Sequence, residues 1–332
     1  MKKLLLHIGP HKTASTYVQS NLVANAARLR EKGVCYPRTM LVKPGHHEVV
    51  TRLSEPGTDA FDPLLKEVAP YETVVLSTEN FTRLEPEQIE TLLGLFDGYD
   101  IHVLFYYRDF HMLWPSHWQE TIKQGGHETW PEYLIKAMGF TEAVFARHLR
   151  PHIVLDRWVS ALGRDRVHIF PYAAIGPGPL EALAPVCELI SVDTGALDPF
   201  AADRNASYPP ARVEAIRVLN ERAAAAGRRP GTDLRRRYMR RAERLEASDL
   251  FAELSAHFEA HARKSILRRS DPYLDFMSSR ILDAYADLMM CPPPPAAAGD
   301  QKVVRFLDAA HRLPNPIADE LVARLMPEDD AD

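Results

Sequence analysis

Three short stretches of this sequence carry residue types that could do chemistry together. The first is Gly9-Pro10-His11-Lys12-Thr13-Ala14-Ser15-Thr16-Tyr17, which follows the apolar run Leu4 to Ile8. From Ser15 the apolar spacing turns helical, with Tyr17, Leu22, Ala26 and Leu29 on related faces, so the stretch is predicted to lead from a strand into a helix. The first turn of a helix leaves backbone N–H groups unused and carries about half a positive charge, which suits an anion such as phosphate. Lys12 adds a full charge. The stretch is not the nucleoside-triphosphatase loop, which would need Gly at Ala14 and Lys at Ser15. The second stretch is the run Ile101 to Tyr107, which ends at Arg108, with Ser116 eight residues further on. That spacing is about two helical turns, so both side chains can share one side, and a guanidinium fork with a hydroxyl can grip one phosphate. The third supplies groups that could move a proton. Glu79 ends Val74-Val75-Leu76-Ser77-Thr78-Glu79, and His46-His47-Glu48 lies in a polar loop opened by Pro44 and Gly45.

The elements that must position these residues read as strands alternating with helices. Leu4 to Ile8, Val74 to Leu76, Ile101 to Tyr107 and Val167 to Tyr172 are the predicted strands, which implies an α/β fold with a central parallel sheet flanked by helices. Ligands of such open sheets bind beyond the carboxyl ends of the strands, where all three stretches lie. From about Pro179 the chain reads as helices rich in Ala, Arg and Glu. The expected organisation is an α/β core over 1–178, a helical part over 179–291 packed on it on the acceptor side, a Pro/Ala linker over 292–300, and a C-terminal helix and tail over 301–332. The formal charge of −5 gives no global attraction to nucleic acid, so no nucleic-acid partner is expected. The run Arg228 to Arg244, rich in arginine, is read as a solvated helix face, with an acidic acceptor or closure over a nucleotide as the functional alternative. Three scattered cysteines, Cys35, Cys187 and Cys291, and two adjacent histidines that cannot both face one ion argue against a disulfide framework and a metal site. The opening apolar run is too short for a signal peptide, and no window is long enough to span a bilayer, so a cytoplasmic location is expected.

On its first loop the sequence resembles the sulfotransferases that use 3′-phosphoadenosine 5′-phosphosulfate (PAPS), in particular their bacterial branch. The family loop is Pro-Lys-Ser/Thr-Gly-Thr/Ser-Thr. Lys12, Thr13, Ser15 and Thr16 match it, while His11 replaces the usual proline and Ala14 the usual glycine. The resemblance implies a P-loop NTPase-like sulfotransferase fold with a helical C-terminal half. It implies that His11 to Thr16 hold the nucleotide, with Lys12 on the 5′-phosphosulfate and Ser15 and Thr16 on its phosphate oxygens. It assigns Arg108 and Ser116 to the 3′-phosphate, although Phe110 stands where the family often has proline and Pro115 precedes Ser116. A late basic segment that returns to the 3′-phosphate corresponds to Arg263 and Lys264, without the expected glycine. Arg204-Asn205-Ala206-Ser207 resembles a bacterial segment near the active site. Lys12 is then also catalytic, stabilising the leaving phosphate, and Glu79, which resembles the glutamate of a Ser-Ser-Glu segment, is the first candidate base, with His47 as the rival. The implied reaction moves a sulfuryl group from PAPS to a hydroxyl or amine of a small-molecule, lipid or carbohydrate acceptor, leaving 3′-phosphoadenosine 5′-phosphate, with no metal. A kinase-like phosphotransferase with a variant loop, or a nucleotide-binding module without activity, remain the alternatives. Neither the acceptor nor the oligomeric state is fixed by the sequence.

Overall fold

The computed structural model describes residues 1–139, 149–200, 207–228, 230–295 and 300–326. Its centre is a five-stranded sheet of β1 (Lys2–His7), β2 (Val34–Cys35), β3 (Thr73–Ser77), β4 (Tyr99–Tyr107) and β5 (Val167–Pro171) in the order β2-β3-β1-β4-β5. Every pairing is parallel. The middles of the strands read as apolar runs because both faces are covered there. Leu4, Leu6, Val74, Leu76, Val103 and Phe105 enter one core, and Leu5, Val75, Leu104 and Tyr106 enter the other.

The strand order creates the place where a ligand can sit. The chain leaves β1 toward β2 on one side of the sheet and leaves β4 toward β5 on the other. Where adjacent strands send their connections apart, a crevice opens beyond their carboxyl ends, and here that point lies between β1 and β4. β4 has nine residues and β1 six, so β4 runs on past its neighbour and delivers Arg108 above the loop that follows β1.

The chain forms two compact units. The first comprises Met1–Phe110, Thr141–Asn205 and Pro272–Ala297, the second His111–Phe140, Ala206–Asp271 and Ala298–Asp332. The first holds the parallel sheet. The second holds helices such as Pro210–Ala225, Thr232–Glu246 and Asn315–Leu325, together with an antiparallel pair, β6 (Arg263–Arg268) and β7 (Gln301–Phe306). That small sheet is a departure from the expected all-helical half. Its strands are short and interrupted by charged residues, and β6 buries only Leu267, so no long apolar run announces them. Tyr172 likewise lies outside β5 and opens a 3-10 turn. No described helix is long and apolar enough to cross a membrane.

Candidate active site

The loop after β1 is built around two left-handed residues. Lys12 has φ 67° and Ala14 φ 63°, conformations that L-residues with a Cβ rarely adopt. Backbone that alternates into the left-handed region turns successive N–H groups inward and forms an anion-binding concavity. Ala14 is also the N-cap of α1 (Ser15–Ala24), with no side-chain cap, so the first-turn donors of this ten-residue helix have no side-chain acceptor from that position. Thr13 is fully buried and its hydroxyl donates to the Pro10 carbonyl at 2.6 Å, bracing the loop from within. Ser15 is buried at the helix start and Thr16 is exposed one residue on.

Arg108 meets this loop directly. Its Nη1 donates to the Lys12 carbonyl, and its guanidinium lies 4.7 Å from the centre of the Tyr172 ring, so the tips of β1, β4 and β5 are tied together. Burial lowers its pKa below the usual guanidinium value, opposed by Tyr172. Its Nε is buried with no hydrogen-bond partner among the described residues. An orphaned donor of this kind, beside a concave run of N–H groups and next to Lys12, is a site with anion chemistry. The expectation of one strand tip at each end of a nucleotide becomes a closer arrangement: Arg108 reaches the backbone of the lysine loop itself.

Glu79 flanks the loop from the opposite side. β3 pairs with β1 as far as His7 and Ser77, the Thr78 N–H donates to the His7 carbonyl, and Thr78 caps the 3-10 turn that begins at Glu79. The backbone at Gly9, with φ 83°, approaches so closely that a Cβ there would lie 2.8 Å from the Glu79 Cβ and 2.9 Å from its Cα. Only glycine fits. The Glu79 carboxylate accepts a 2.9 Å hydrogen bond from Gln19 Nε2, and its other oxygen lies 3.7 Å from His11 Nδ1. Burial would raise its pKa, but His11, the Gln19 amide, its own backbone N–H and His47 together hold it below the ordinary carboxylate value. Glu79 is therefore a carboxylate at neutral pH.

The histidines divide sharply. His46 is fully buried, with Nε2 bonded to the Pro37 carbonyl at 3.0 Å and Nδ1 accepting from the Ser77 N–H at 3.1 Å. Burial lowers its pKa to about 4, so it is a neutral strut of the loop rather than an acid or base. His7 beneath the loop is another, bonded to Ser77 Oγ at 2.7 Å and lowered by burial to about 4. His47 opens α3 (His47–Arg52) instead of lying in a loop, and its Nδ1 meets Thr78 Oγ1 at 2.8 Å and Asn80 Nδ2 at 3.3 Å. The Asn80 Nδ2 amide can only donate, so Nδ1 is the acceptor and the proton of a neutral His47 ring sits on Nε2.

The remaining sequence candidates lie in the second unit. Ser116 sits on the helix Phe110–Lys123, which starts directly after Asp109 and continues through Pro115. Arg263 and Lys264 open β6 and are exposed, and Arg263 pairs with Asp308 at 2.6 Å. The arginine-rich helix Thr232–Glu246 buries Leu234, Tyr238, Ala242 and Leu245, while Arg236 is exposed and pairs with Asp233 at 3.2 Å, as on a solvated face. Arg229 and Arg204-Asn205-Ala206 lie outside the described residues. Sequence reasoning missed Gln19 and Tyr172. Gln19 is a buried polar residue on a helix with no motif around it, and Tyr172 read as the last residue of a strand.

No family profile matches the chain, and no curated protein is similar to it. Among solved structures, a sulfotransferase from Alicyclobacillus acidocaldarius aligns over 69% of this chain and 97% of its own, with 14% identity and a TM-score of 0.42. The sulfotransferase domain from the curacin biosynthetic pathway aligns over 61% of this chain and 80% of its own, with 14% identity and a TM-score of 0.37. At that identity no residue is carried across from either protein.

Proposed function

We propose that this chain is a sulfotransferase that takes a sulfuryl group from PAPS and passes it to a hydroxyl or amine of a small-molecule, lipid or carbohydrate acceptor. The observation that carries the reading is the hydrogen bond from Arg108 to the Lys12 carbonyl, which joins two cationic strand tips at the point where the connections of β1 and β4 part. One anionic ligand can engage both. Lys12 and the N–H groups from Lys12 to Thr16 would hold the 5′ end, where a guest anion gains the helix dipole as well as the lysine charge. Arg108 would take the 3′-phosphate with a charge-assisted bond, a reading that its buried, unpartnered Nε supports. Bound PAPS supplies a sulfuryl group on a phosphate leaving group.

Within this reading Lys12 neutralises charge that grows on the departing phosphate, an interaction stronger in the transition state than before it. Glu79, ionised and set against Gly9 at the base of the loop, takes the acceptor's proton as the acceptor attacks. Ser116, Arg263 and Lys264 remain candidates for the 3′-phosphate on the strength of the sequence pattern.

Isothermal calorimetry with 3′-phosphoadenosine 5′-phosphate tests the reading without knowledge of the acceptor. The expected result is binding at least tenfold tighter than adenosine 5′-monophosphate, with no requirement for magnesium. Equal affinity for the two nucleotides removes Arg108 from the 3′-phosphate, and magnesium-dependent binding of ATP in their place makes the protein a phosphotransferase.

A further inference from the structure

The carboxylate of Glu79 is held by a residue that no motif points to. Gln19 lies on α1 one helical turn beyond Ser15, is 2% exposed, and gives its amide N–H to Glu79 Oε2 at 2.9 Å. A Cβ on Gly45 would fall 3.0 Å from the Gln19 carbonyl oxygen and 2.8 Å from His47 Nε2, so glycine at that position lets the amide and the imidazole lie side by side. His47 itself is anchored through Nδ1 by Thr78 and Asn80. The amide turns its nitrogen toward Glu79, as an ionised carboxylate that can only accept requires. The consequence for Glu79 is asymmetry. Oε2 is spent on Gln19, whereas Oε1 faces the nucleotide loop, 3.7 Å from His11 Nδ1, a separation too long for a hydrogen bond.

We propose that Gln19 is a positioning residue for sulfuryl transfer: it pins one oxygen of Glu79 so that Oε1 alone takes the acceptor's proton. The inference rests on the sulfotransferase reading. In the step itself, the acceptor oxygen or nitrogen bonds to sulfur and the bond from sulfur to the bridging oxygen breaks. The electron pair leaves with the 5′-phosphate, and the acceptor's proton passes to Glu79 Oε1. A carboxylate free to rotate would offer either oxygen in many orientations; one held by a buried amide offers a single lone pair beside the loop that carries Lys12. The titratable groups around Glu79 are His11 on the loop, His47 on α3, His7 on β1 and Tyr36. His7 is neutral, and the Tyr36 phenol is pushed by burial above its ordinary value, so His11, Gln19, the Glu79 backbone N–H and His47 are the groups that hold the carboxyl down against burial.

The test reads Glu79 itself. Carboxyl titration by ¹³C NMR, assigned with Glu79→Gln, is run on the full-length protein and on Gln19→Leu and Gln19→Glu. Loss of the donor is expected to raise the Glu79 pKa by about one, and replacement of the donor by a second carboxylate by more than that. His47→Gln should raise it less than either. A Glu79 pKa that stays within 0.2 of the unsubstituted protein in both Gln19 variants overturns the assignment, and the near-isosteric Gln19→Glu keeps the test open if Gln19→Leu does not fold. The same samples are titrated with 3′-phosphoadenosine 5′-phosphate. Failure of the unsubstituted protein to bind it overturns the sulfotransferase reading, whereas an unmoved Glu79 in a protein that does bind it overturns the role of Gln19 alone. The acceptor-independent release of sulfate from PAPS supplies a further discriminating readout. Its acid limb is expected to move up in pH with the Glu79 carboxyl in Gln19→Leu, and a limb that does not move places the base elsewhere.

Discussion

Substituting Gly9 by alanine tests the joint on which the site is built. Two costs combine there. The first is conformational: at φ 83° a residue with a Cβ pays about 1–2 kcal/mol. The second is steric: the new methyl would sit 2.8 Å from the Glu79 Cβ and 2.9 Å from its Cα, and backbone cannot swing away as a side-chain end can. Overpacking of this sort costs about 1–3 kcal/mol, so the whole effect is about 2–5 kcal/mol. The control is Gly57→Ala. Gly57 has φ 85° but nothing within 4 Å of its Cβ position, so it pays the conformational cost alone. Urea unfolding of the two variants beside the unsubstituted protein isolates the contact as their difference, expected to be about 1–3 kcal/mol. If Gly9→Ala costs no more than Gly57→Ala, the loop does not press on Glu79 and the placement of the carboxylate relative to Lys12 is wrong. Because the Gly9 carbonyl also accepts from the Tyr106 N–H at 2.8 Å, the methyl should disturb the seam between the loop and β4 as well.

Three further outcomes follow from the same geometry. Arg108→Lys keeps the charge but loses the fork and the stacking on Tyr172, so affinity for 3′-phosphoadenosine 5′-phosphate should fall roughly 10- to 100-fold by calorimetry while adenosine 5′-monophosphate loses far less. Ala14→Gly relieves the left-handed strain at φ 63° and should stabilise the protein by up to about 1 kcal/mol in urea unfolding, the gain being offset in part by the freedom glycine adds to the unfolded chain. His46, with its pKa lowered from 6.5 to about 4, refuses in the folded state a proton that the unfolded chain accepts below 6.5. Its contribution is therefore lost as pH falls through that window, by about 2 kcal/mol between pH 7 and pH 5, and His46→Gln should show a correspondingly smaller acid loss in pH-dependent unfolding.

The sheet was legible because a strand buried on both faces must be largely apolar, and Leu4 to Ile8, Val74 to Leu76 and Ile101 to Tyr107 are so, with only His7 and His102 interrupting. β2 was not, since Val34–Cys35 is too short to form a pattern. β6 and β7 were not because each is half exposed and charged, and their pairing spans residues 263 to 306, a contact no local signal encodes. Within the site, Lys12, Arg108 and Glu79 could be found because strand ends in parallel sheets are few and reactive residues there stand out. Gln19 could not. Its meaning lies in a contact with Glu79 sixty residues away, and in a glycine at position 45 whose only visible trace in the sequence is a Pro-Gly turn. His46 and His47 illustrate the same limit: adjacent in sequence, one is buried at the end of β3 and the other starts a helix.

The loop raises a question of energy that its sequence alone does not pose. A family with glycine at the position of Ala14 meets the left-handed turn without strain, whereas this chain holds both Ala14 and Lys12 there. Each such residue costs about 1–2 kcal/mol, and strain of that size persists only where the surroundings over-determine the backbone. Here the determinants can be named. Gly9 is locked against Glu79, the Gly9 carbonyl is bonded to Tyr106, Thr13 is tied to Pro10, and Arg108 is bonded to the carbonyl of Lys12. The last of these is a bond between a cationic side chain and the strained residue itself, so Arg108 contributes to the shape of the loop before any ligand arrives. A ligand phosphate that engages Arg108 must either share its guanidinium with the Lys12 carbonyl or draw it away. Sharing is the arrangement that leaves the loop's conformation intact, because the fork carries five N–H donors and the carbonyl uses only one nitrogen. The buried, unpartnered Nε is among the donors then left over, and on the proposed reading loss of the guanidinium should weaken nucleotide binding twice over, once by the missing contact and once by the loosened loop.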